Sequence, residues 1–345
     1  MSDSLTPGIS ILMCCHNSIS RLPLSFGHLR SLLLPEGWNI ELLIVDNAST
    51  DGTMPFAREY WQGYAHAFEV RPLEEQRLGL SHARLRGILE ARYPYVLLCD
   101  DDNGLLPDYL LIACQILTAR KDAPPGMLGG QGLAVFETTP PPWAPQFHLF
   151  GCGPQAPQSG PAKQLYGAGS ILWKPAFMKI YHAGFRWLLT DRQGNQLSSG
   201  GDYELCAALK LAGYPLWFES RMQFVHYIEA HRLALNYYQR FIREASVSEN
   251  ILLLYRSLPL HMGYSRWPVR WMALQEAGYH IFRIASMLIR RLFSFPSKSQ
   301  QTVFRLRLFY HGLRIYHLLH LKKICHNNWP RLVEWYQHLQ DKARH

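Results

Sequence analysis

The sequence predicts an α/β protein built on a doubly wound, mostly parallel β-sheet and followed by a basic helical region. Two observations support this fold class. Through the first half of the 345-residue chain, short apolar runs alternate with helical patterns, as in parallel strands joined by helices. From about residue 230 the strand signals fade, and Arg, His, Tyr, Leu and Ile dominate. The hydrophobic content of 48% and charged content of 18% exclude global disorder.

Four apolar runs in the first half have the length and composition of buried parallel strands. They occupy residues 9–15, 40–46, 67–73 and 95–102, and helical patterns lie at about 19–34, 53–62, 81–92 and 107–120. In sheets of this kind, ligands bind beyond the carboxyl ends of the strands. The polar residues at these ends are His16 and Asn17, Asp46 and Asn47, and Asp100 to Asp102.

The segment 136–162 is rich in Pro, Gly and Gln and is predicted to be a long loop, a feature that is usually functional inside a compact domain. A strand over 167–173, a helix over 200–214 and strand-like runs over 215–220 and 222–228 follow it. Further helices are predicted near 231–257, 268–293, 301–324 and 328–342.

Charge is distributed unevenly along the chain. The net charge is +9, but residues 231–345 carry 18 Lys and Arg against 5 Asp and Glu. This surplus predicts an anionic partner. One interpretation is an anionic membrane surface, with basic side chains and the aromatic residues Trp267, Trp271, Phe282, Phe293 and Phe295 at the interface. The other is a helical subdomain with a solvated basic face, whereas nucleic acid is a lesser candidate because no recognised binding motif is present.

The cysteine pattern and the opening residues of the sequence indicate the cellular compartment that we expect for the protein. Seven cysteines form no Cys-x-x-Cys pair, which argues against a disulfide scaffold and a thiolate zinc site. The opening residues MSDSLTPGIS have neither a basic start nor an apolar run, so no secretory signal is expected. We therefore expect a cytoplasmic protein, peripheral on the inner face of the cell membrane if the basic region binds there.

Three consecutive aspartates, Asp100, Asp101 and Asp102, follow the fourth predicted strand. Carboxylates this close repel one another unless a cation lies among them. Mg²⁺ and Mn²⁺ prefer such oxygen ligands and commonly bridge protein carboxylates to substrate phosphates. A solvated acidic turn is the alternative, but the position directly after an apolar strand favours a metal site.

Three other residues each have two interpretations. Asp202, at the start of a predicted helix, is either a base facing the same crevice or an acid that complements the helix dipole. His226, in the apolar run FVHYI, is either a metal ligand or a core residue. Arg84 carries a guanidinium that matches phosphate oxygens, but a solvated basic face has the same composition.

A series of motifs occurs in the order and spacing of a known family. These are CCHN, VDNASTDGT, RLGLSHARLRG, LLCDDDNGLLPDYL, GGDYELCAALKLAGY and FVHY. Over residues 8–230 the chain resembles the family 2 glycosyltransferases of the GT-A fold, and its middle section resembles a bacterial subgroup that builds surface polysaccharide. The resemblance implies a catalytic domain over 1–230, with a nucleotide-sugar half at about 1–135 and an acceptor half at about 136–230. The basic, aromatic-rich helical region then covers 231–345.

The resemblance also implies roles for single residues. Donor-binding roles fall on residues near the strand ends and on one helix: His16, Asn17, Asp46, Arg84, Asp100 and Asp101. Asp102 would bind the metal, Mg²⁺ or Mn²⁺, together with His226, and Asp202 would be the catalytic base. Two positions depart from the family pattern: Leu85 stands where Asn is usual, and Gly201 stands where many members have Glu.

The implied reaction is an inverting transfer of a sugar from a nucleotide-diphosphate sugar, with a UDP-sugar favoured, to a hydroxyl of a glycan or lipid-linked acceptor. The cation would neutralise the leaving diphosphate. A phosphohydrolase or nucleotidyl enzyme that uses the aspartates is a second reading. A catalytically silent sugar-nucleotide binder or membrane-associated interaction protein is the third.

Overall fold

A computed structural model describes residues 7–62, 68–146, 150–189, 191, 197, 199–260, 263–292 and 296–344. The strands are β1 (Gly8–Cys15), β2 (Asn39–Asp46), β3 (Glu69–Glu74), β4 (Tyr95–Asp100), β5 (Asn103–Leu105), β6 (Met127–Phe136), β7 (Gly160–Ala162), β8 (Ile171–Trp173) and β9 (Leu216–Ile228). The α-helices are α1 (Leu22–Arg30), α2 (Thr53–Gln62), α3 (Leu80–Glu90), α4 (Tyr109–Ala119), α5 (Lys174–His182), α6 (Gly201–Leu211), α7 (Leu235–Ser257), α8 (Trp267–Leu292), α9 (Lys298–Leu319) and α10 (Leu321–Arg344).

One sheet holds the described strands, in the order β3-β2-β1-β4-β8-β6-β9-β5, with β7 beside β9. The first four strands of this order are mutually parallel. Antiparallel β8 joins them to the rest, where β6 and β9 are again parallel to each other. In the register of the parallel part, Cys15 pairs with Asp46 and Cys14 with Asp100, so the carboxyl ends of β1, β2 and β4 lie level. The predicted α/β architecture with a mostly parallel core is confirmed.

Both faces of the sheet are covered, which explains the uninterrupted apolar strands. Residues such as Ile11 and Met13 of β1 pack with α1, α2 and α4 in one hydrophobic cluster. Leu12, on the opposite face, belongs to a second cluster with α3, α5 and α6, and this cluster continues into α7 and α10. The indole of Trp335 in α10 donates a hydrogen bond of 3.4 Å to the carbonyl of Ile180 in α5. The C-terminal helices therefore pack on the sheet domain, and a domain boundary at residue 230 stays a prediction.

Four local differences separate the structure from the sequence-based expectation. The fourth strand ends at Asp100 instead of residue 102, and the two runs over 215–228 form the single strand β9. Strand β6 was not predicted, because its LGGQG segment has the composition of a loop. Helix α5 was also missed, since it begins directly after β8 without a connecting turn.

The predicted 136–162 loop contains a 3₁₀ turn at Ala144–Gln146 and the short strand β7. Next to the turn, Trp143 packs against Tyr238 of α7, with ring centroids 5.4 Å apart. The interfacial residues Phe293 and Phe295 lie outside the described residues. None of the helices that the structure describes has both the length and the apolar character needed to span a membrane.

Candidate active site

A cleft of about 480 Å³ opens at the carboxyl edge of the parallel strands. Its walls come from the ends of β1 and β4, from α3, from the start of α6 and from β9. Asp102 and Asp202, a hundred positions apart in sequence, line this one cleft. The fold therefore brings the two predicted acidic sites together.

The turn after β4 is held by the backbone and by Asn103. The amide of Asp100 donates to Asn103 Oδ1 at 3.2 Å, and the Tyr227 amide donates to the Asp102 carbonyl at 3.0 Å. Asp101 accepts hydrogen bonds from the Ser18 hydroxyl and from Arg21, the latter at 2.8 Å. Asp101 thus ties the turn to the loop after β1.

The Asp102 carboxylate lies between two cationic side chains. His226 Nε2 is 3.2 Å and Arg232 Nη1 3.0 Å from Asp102 Oδ2. Strand pairing positions His226, because β5 and β9 are antiparallel with Asn103 opposite His226. Burial lowers the pKa of His226, but the adjacent Asp102 carboxylate outweighs burial and the pKa rises to about 10. The raised pKa favours an imidazolium at His226, beside the guanidinium of Arg232.

Arg84 is buried at the centre of the cleft and faces three carboxylates. Its guanidinium lies 3.5 Å from Asp100 and 3.4 Å from Asp191, and it donates a short hydrogen bond to Asp202. Burial lowers the pKa of Arg84, but the surrounding carboxylates raise it by more. Burial, with Asp202 nearby, raises the pKa of Asp191 to about 7 against the opposing effect of Arg84. Arg84 therefore links the strand-end aspartates to the start of α6.

Asp202 lies in the first turn of α6, where the positive end of the helix dipole favours a carboxylate. One oxygen accepts from Arg84, and the other accepts from the Gly167 amide at 2.8 Å. The side chain is 25% exposed, so the carboxylate remains open to the cleft. Position 167 has room only for glycine, because a Cβ there would lie 2.6 Å from the Asp202 carboxyl carbon.

Gly201 stands where many family members have Glu, and the structure shows why a larger residue does not fit there. The Gly201 amide donates to Asp191 Oδ1 at 2.7 Å, and a Cβ on residue 201 would collide with the Asp191 carboxylate. Asp191 occupies the space that a longer residue at 201 would need. A carboxylate from elsewhere in the chain is thus next to the predicted base.

The predicted donor-binding residues at the ends of β1 and β2 differ in their positions relative to the cleft. His16 lines the cleft, with Nδ1 2.8 Å from the Asn47 carbonyl. Asp46 ends β2, and its Oδ1 is buried without a hydrogen-bond partner among the described residues. Asn17 is exposed, has a φ of 48° and accepts from the Thr50 amide at 2.8 Å. The structure places neither Asn17 nor Asp46 among the described residues that line the cleft, and the donor-binding roles of these residues stay predictions.

Sequence reasoning missed Asp191, Arg232 and Arg21 as parts of this site. Arg232 is in a 3₁₀ turn after β9, within the basic stretch that resembled solvated surface. Asp191 belongs to the segment 188–202, part of which lies outside the described residues. Only the GAGS glycines and the polar run around Asp191 could have pointed to this cluster.

A divalent cation was predicted on Asp102 and His226. The described residues include no group of three or more His, Cys, Asp or Glu side chains placed to hold a metal ion. The two predicted ligands do face each other across 3.2 Å. Mg²⁺ is commonly bound by one or two carboxylates with substrate phosphates and water in the remaining positions. The residues present fit a cation that is completed by its substrate.

The matching family model is Glycosyl transferase family 2, over residues 10–151. Residues 10–151 form a family 2 glycosyltransferase domain. The domain contains the ends of β1, β2 and β4, the turn with the three aspartates, and Arg84. The family prediction made from the motifs is confirmed.

Two curated relatives named as glycosyltransferases share parts of the chain. EpsH of Bacillus subtilis (strain 168) is 30% identical over 104 residues, which are 30% of this chain and 28% of the relative. YibD of Escherichia coli (strain K12) is 36% identical over 76 residues, or 22% of this chain and 21% of the relative. The chain thus matches less than a third of the length of either relative.

Among solved structures, S. aureus TarS 1–349 in complex with UDP-GlcNAc has a TM-score of 0.50 and 12% sequence identity, covering 89% of this chain and 90% of that chain. The likeness concerns the fold. It agrees with the GT-A-type architecture expected for a family 2 glycosyltransferase domain.

Proposed function

We propose that the protein transfers a sugar from a nucleoside-diphosphate sugar to a hydroxyl group of a glycan or lipid-linked acceptor, with inversion at the anomeric carbon. The observation that carries the proposal is the shared cleft, in which Asp202 and the cationic surroundings of Asp102 face one space. A base for the acceptor and positive charge for the leaving group are the two requirements of such a displacement.

The donor diphosphate fits the side of the cleft formed by Asp102, His226 and Arg232. His226 and Arg232 supply positive charge, and an arginine fork matches phosphate oxygens. Binding of UDP-GlcNAc by the structurally similar TarS favours a UDP-sugar. The buried Oδ1 of Asp46 has no hydrogen-bond partner among the described residues, and Asp46 precedes Asn47 of the cleft wall, so a nucleobase N–H group bound there would satisfy it.

Asp202 acts as the general base in this proposal. The acceptor oxygen forms a bond to the anomeric carbon as the bond from that carbon to the diphosphate oxygen breaks. The acceptor proton passes to Asp202, and the electron pair of the broken bond leaves with the nucleoside diphosphate. A positioned base of this kind contributes about 10²–10⁴ in rate. Arg84 and the Gly167 amide orient the carboxylate.

Asp102 and His226 are the residues that would hold a Mg²⁺ or Mn²⁺ ion, and His226 would then be the neutral imidazole, with the ion in place of the imidazolium charge. When bound, the ion supplies positive charge to the leaving diphosphate. Arg232 contacts the same Asp102 oxygen at 3.0 Å and orients this carboxylate in the absence of the ion.

We place the enzyme in the cytoplasm, at the inner face of the cell membrane when its acceptor is lipid-linked. The acceptor enters from the α6 side, where Tyr203 and Phe241 line the cleft next to Asp202. The surface-polysaccharide resemblance of the middle section supports such an acceptor.

A thermal-shift screen with UDP, GDP, CDP and dTDP, each with and without Mn²⁺, tests donor binding. One nucleotide should raise the melting temperature, since a ligand of the native state stabilises it. Asp102→Asn should reduce this shift, whereas Asp122→Asn, on the exposed surface, should not.

The matching sugar nucleotides are then incubated with acceptor, and the anomeric configuration of the product is read by NMR. Inverted product supports the proposal. Retained configuration contradicts the single displacement. Binding without turnover across donors and acceptors would indicate a silent sugar-nucleotide binder, and release of sugar phosphate would indicate a phosphohydrolase.

A further inference from the structure

Asp191 and the residues just before it are bonded to the first turn of α6, the turn that carries the proposed base. The indole of Trp187 donates a hydrogen bond to the Gly201 carbonyl at 3.1 Å, and the Gly201 amide donates to Asp191 Oδ1 at 2.7 Å. Glu204, one turn further along α6, accepts hydrogen bonds from two backbone amides of the same segment. These bonds run in both directions and fix the position of Asp191 relative to α6.

The backbone and burial of Asp191 are both unusual for an aspartate. Its φ is 52°, in the left-handed region that residues other than glycine rarely adopt. Its side chain is only 7% exposed, although it lines the cleft. Strained backbone and buried carboxylates both cost stability, and such strain concentrates at functional sites. The geometry therefore indicates that Asp191 has a role in the cleft.

The partner of Asp191 across the cleft is Arg84, which also contacts the base. Arg84 Nη1 lies 3.4 Å from Asp191 Oδ2 and donates a hydrogen bond to Asp202 Oδ1, while Nη2 lies 3.5 Å from Asp100 Oδ1. One positive charge is thus divided among three carboxylates. A cation beside a carboxylate stabilises its charged form and makes it less ready to accept a proton. If Asp191 were neutral, Arg84 would act more strongly on Asp202.

We propose that Asp191 is a positioning residue of the transfer reaction, which shares the positive charge of Arg84 with Asp202 and so leaves Asp202 able to take the acceptor proton. This inference rests on the proposed function, in which Asp202 is the base. Asp191 itself forms no bond to either substrate and takes no proton from the acceptor. The Gly201 amide holds its carboxylate beside Arg84.

The proposal predicts a pH dependence, because Asp191 shares the charge of Arg84 only when it is ionised. Burial raises the pKa of Asp191 to about 7, with Asp202 and Asp100 acting in the same direction and Arg84 and a backbone amide opposing them. Glu204 is a further carboxylate close enough to interact with Asp191. Asp191 therefore loses its proton as the pH rises through about 7, and full activity should be reached only above that pH.

The test is the pH profile of kcat/KM for wild type and D191N, since this quantity reports ionisations of the free enzyme. Asparagine tolerates the left-handed backbone and resembles the protonated acid. The two profiles should converge at acidic pH. Near pH 8 the wild type should be about tenfold more active, because a neighbouring charge typically changes a proton equilibrium by a factor of ten or more. A loss that is the same at every pH would mean a merely structural role and would overturn the proposal, as would identical profiles.

E204Q is the matched control, because it removes another buried carboxylate of the same region whose pKa is also raised to about 7. Glu204 bonds to backbone amides and to the Tyr255 hydroxyl, so E204Q should keep the rise in kcat/KM near pH 7. If the rise is lost in E204Q and kept in D191N, it belongs to Glu204 and the proposal is wrong. Thermal unfolding confirms the fold of each variant.

Carboxyl-carbon NMR of isotopically labelled protein measures the same coupling without turnover, with Asp191 assigned through its backbone resonances. In D202N the pKa of Asp191 should fall below about 7, because Asp202 contributes to raising it. An unchanged pKa of Asp191 would show that the two carboxylates are not coupled and would overturn the proposal.

The activity of D202N separates the two levels of inference. Full turnover in D202N would remove the proposed base, and the role of Asp191 with it. If D202N is inactive while wild type and D191N have the same pH profile, the proposed function stands and only the role of Asp191 fails.

Discussion

The candidate active-site cleft and a second cavity, of about 460 Å³ between α8 and α9, each gather at least four charged side chains, but the signs of these charges differ. The second cavity is lined by Arg283, Arg290, Arg291 and Arg307. In the cleft, Arg84 faces three carboxylates, and Asp102 faces His226 and Arg232. In the cavity, four arginines share a wall without a described carboxylate. The cleft charges are largely buried, whereas three of the four cavity arginines are exposed. Buried charge requires a partner of opposite charge inside the protein. Exposed charge is solvated and can be balanced by ions or ligands outside the protein.

This difference indicates separate tasks. Paired charges in a buried cleft are held in fixed positions, which suits groups that act on a reacting bond. Exposed arginines on a helix surface attract anions from solution. The following changes alter the balance of the cleft, in order of decreasing expected effect.

Replacing Asp202 by Asn should reduce turnover by about 10²–10⁴, because the amide cannot accept the acceptor proton. Donor affinity should remain close to wild type, since Asp202 contacts Arg84 and Gly167 and not the Asp102 side of the cleft. Steady-state kinetics and calorimetric titration of the donor nucleotide check the two parts. Full activity in D202N would show that another group is the base, and D122N serves as the surface control.

Replacing Arg84 by Met keeps much of the side-chain volume but removes the partner of buried Asp191. Breaking a buried ion pair from one side typically costs about 3–5 kcal/mol, and we expect a loss of this order in the free energy of unfolding. The loss should be larger above pH 7, because Asp191, with its pKa raised to about 7, can escape the penalty by protonation at lower pH. Urea denaturation at both pH values measures it.

Adding Asp191→Asn to Arg84→Met provides the check on that prediction. The double variant should recover part of the stability, because the unpaired carboxylate is then absent. If the two losses simply add, Arg84 and Asp191 are not coupled as their 3.4 Å contact implies.

Replacing Gly167 by Ala tests the orientation of the base with little change in charge. The added methyl would meet the Asp202 carboxyl carbon at 2.6 Å, so the carboxylate must move. Misplacement of about 1 Å can cost roughly 10² in rate, and we expect a loss of this order in kcat. Gly27→Ala, where a Cβ meets nothing within 4 Å, is the control. An unchanged kcat in G167A would remove Asp202 from the mechanism as described.

Glu204 tests the junction between the cleft helix α6 and the basic region. It is buried, accepts 2.9 Å bonds from the Leu188 and Leu189 amides and a 2.8 Å bond from the Tyr255 hydroxyl of α7. Burial raises the pKa of Glu204 to about 7, against hydrogen bonds that lower it. Between the unfolded pKa, about 4.3, and this value, the folded state binds more protons than the unfolded state.

Stability should therefore fall as pH rises from about 4.3 to about 7, by up to about 1 kcal/mol per pH unit, and level off above that range. In Glu204→Gln this dependence should be lost. Because the neutral amide resembles the protonated acid, wild type and variant should differ most at and above pH 7. Thermal unfolding as a function of pH gives the two curves. Parallel curves would mean that Glu204 does not titrate with folding.

The strand positions and the order of the acidic motifs were predictable from sequence alone. Parallel strands buried on both faces must be continuous apolar runs, so β1, β2 and β4 are visible in any single sequence. Their carboxyl ends necessarily carry the next polar residues, which is why Asp46, Asp100 and Asp102 could be named. The surplus of basic residues after position 230 is likewise a property of composition.

Tertiary structure alone decided which charges meet. Asp191 contacts residue 201 because that residue is a glycine, without a Cβ that would collide with the carboxylate. The hydrophobic periodicity of the sequence does not indicate this contact. Arg232 joins Asp102 across 130 positions, and in sequence it could not be told from the exposed arginines around it. Local patterns report burial of apolar surface, which each element carries by itself. The pairing of charges depends on distances between elements, and only the folded chain sets these distances.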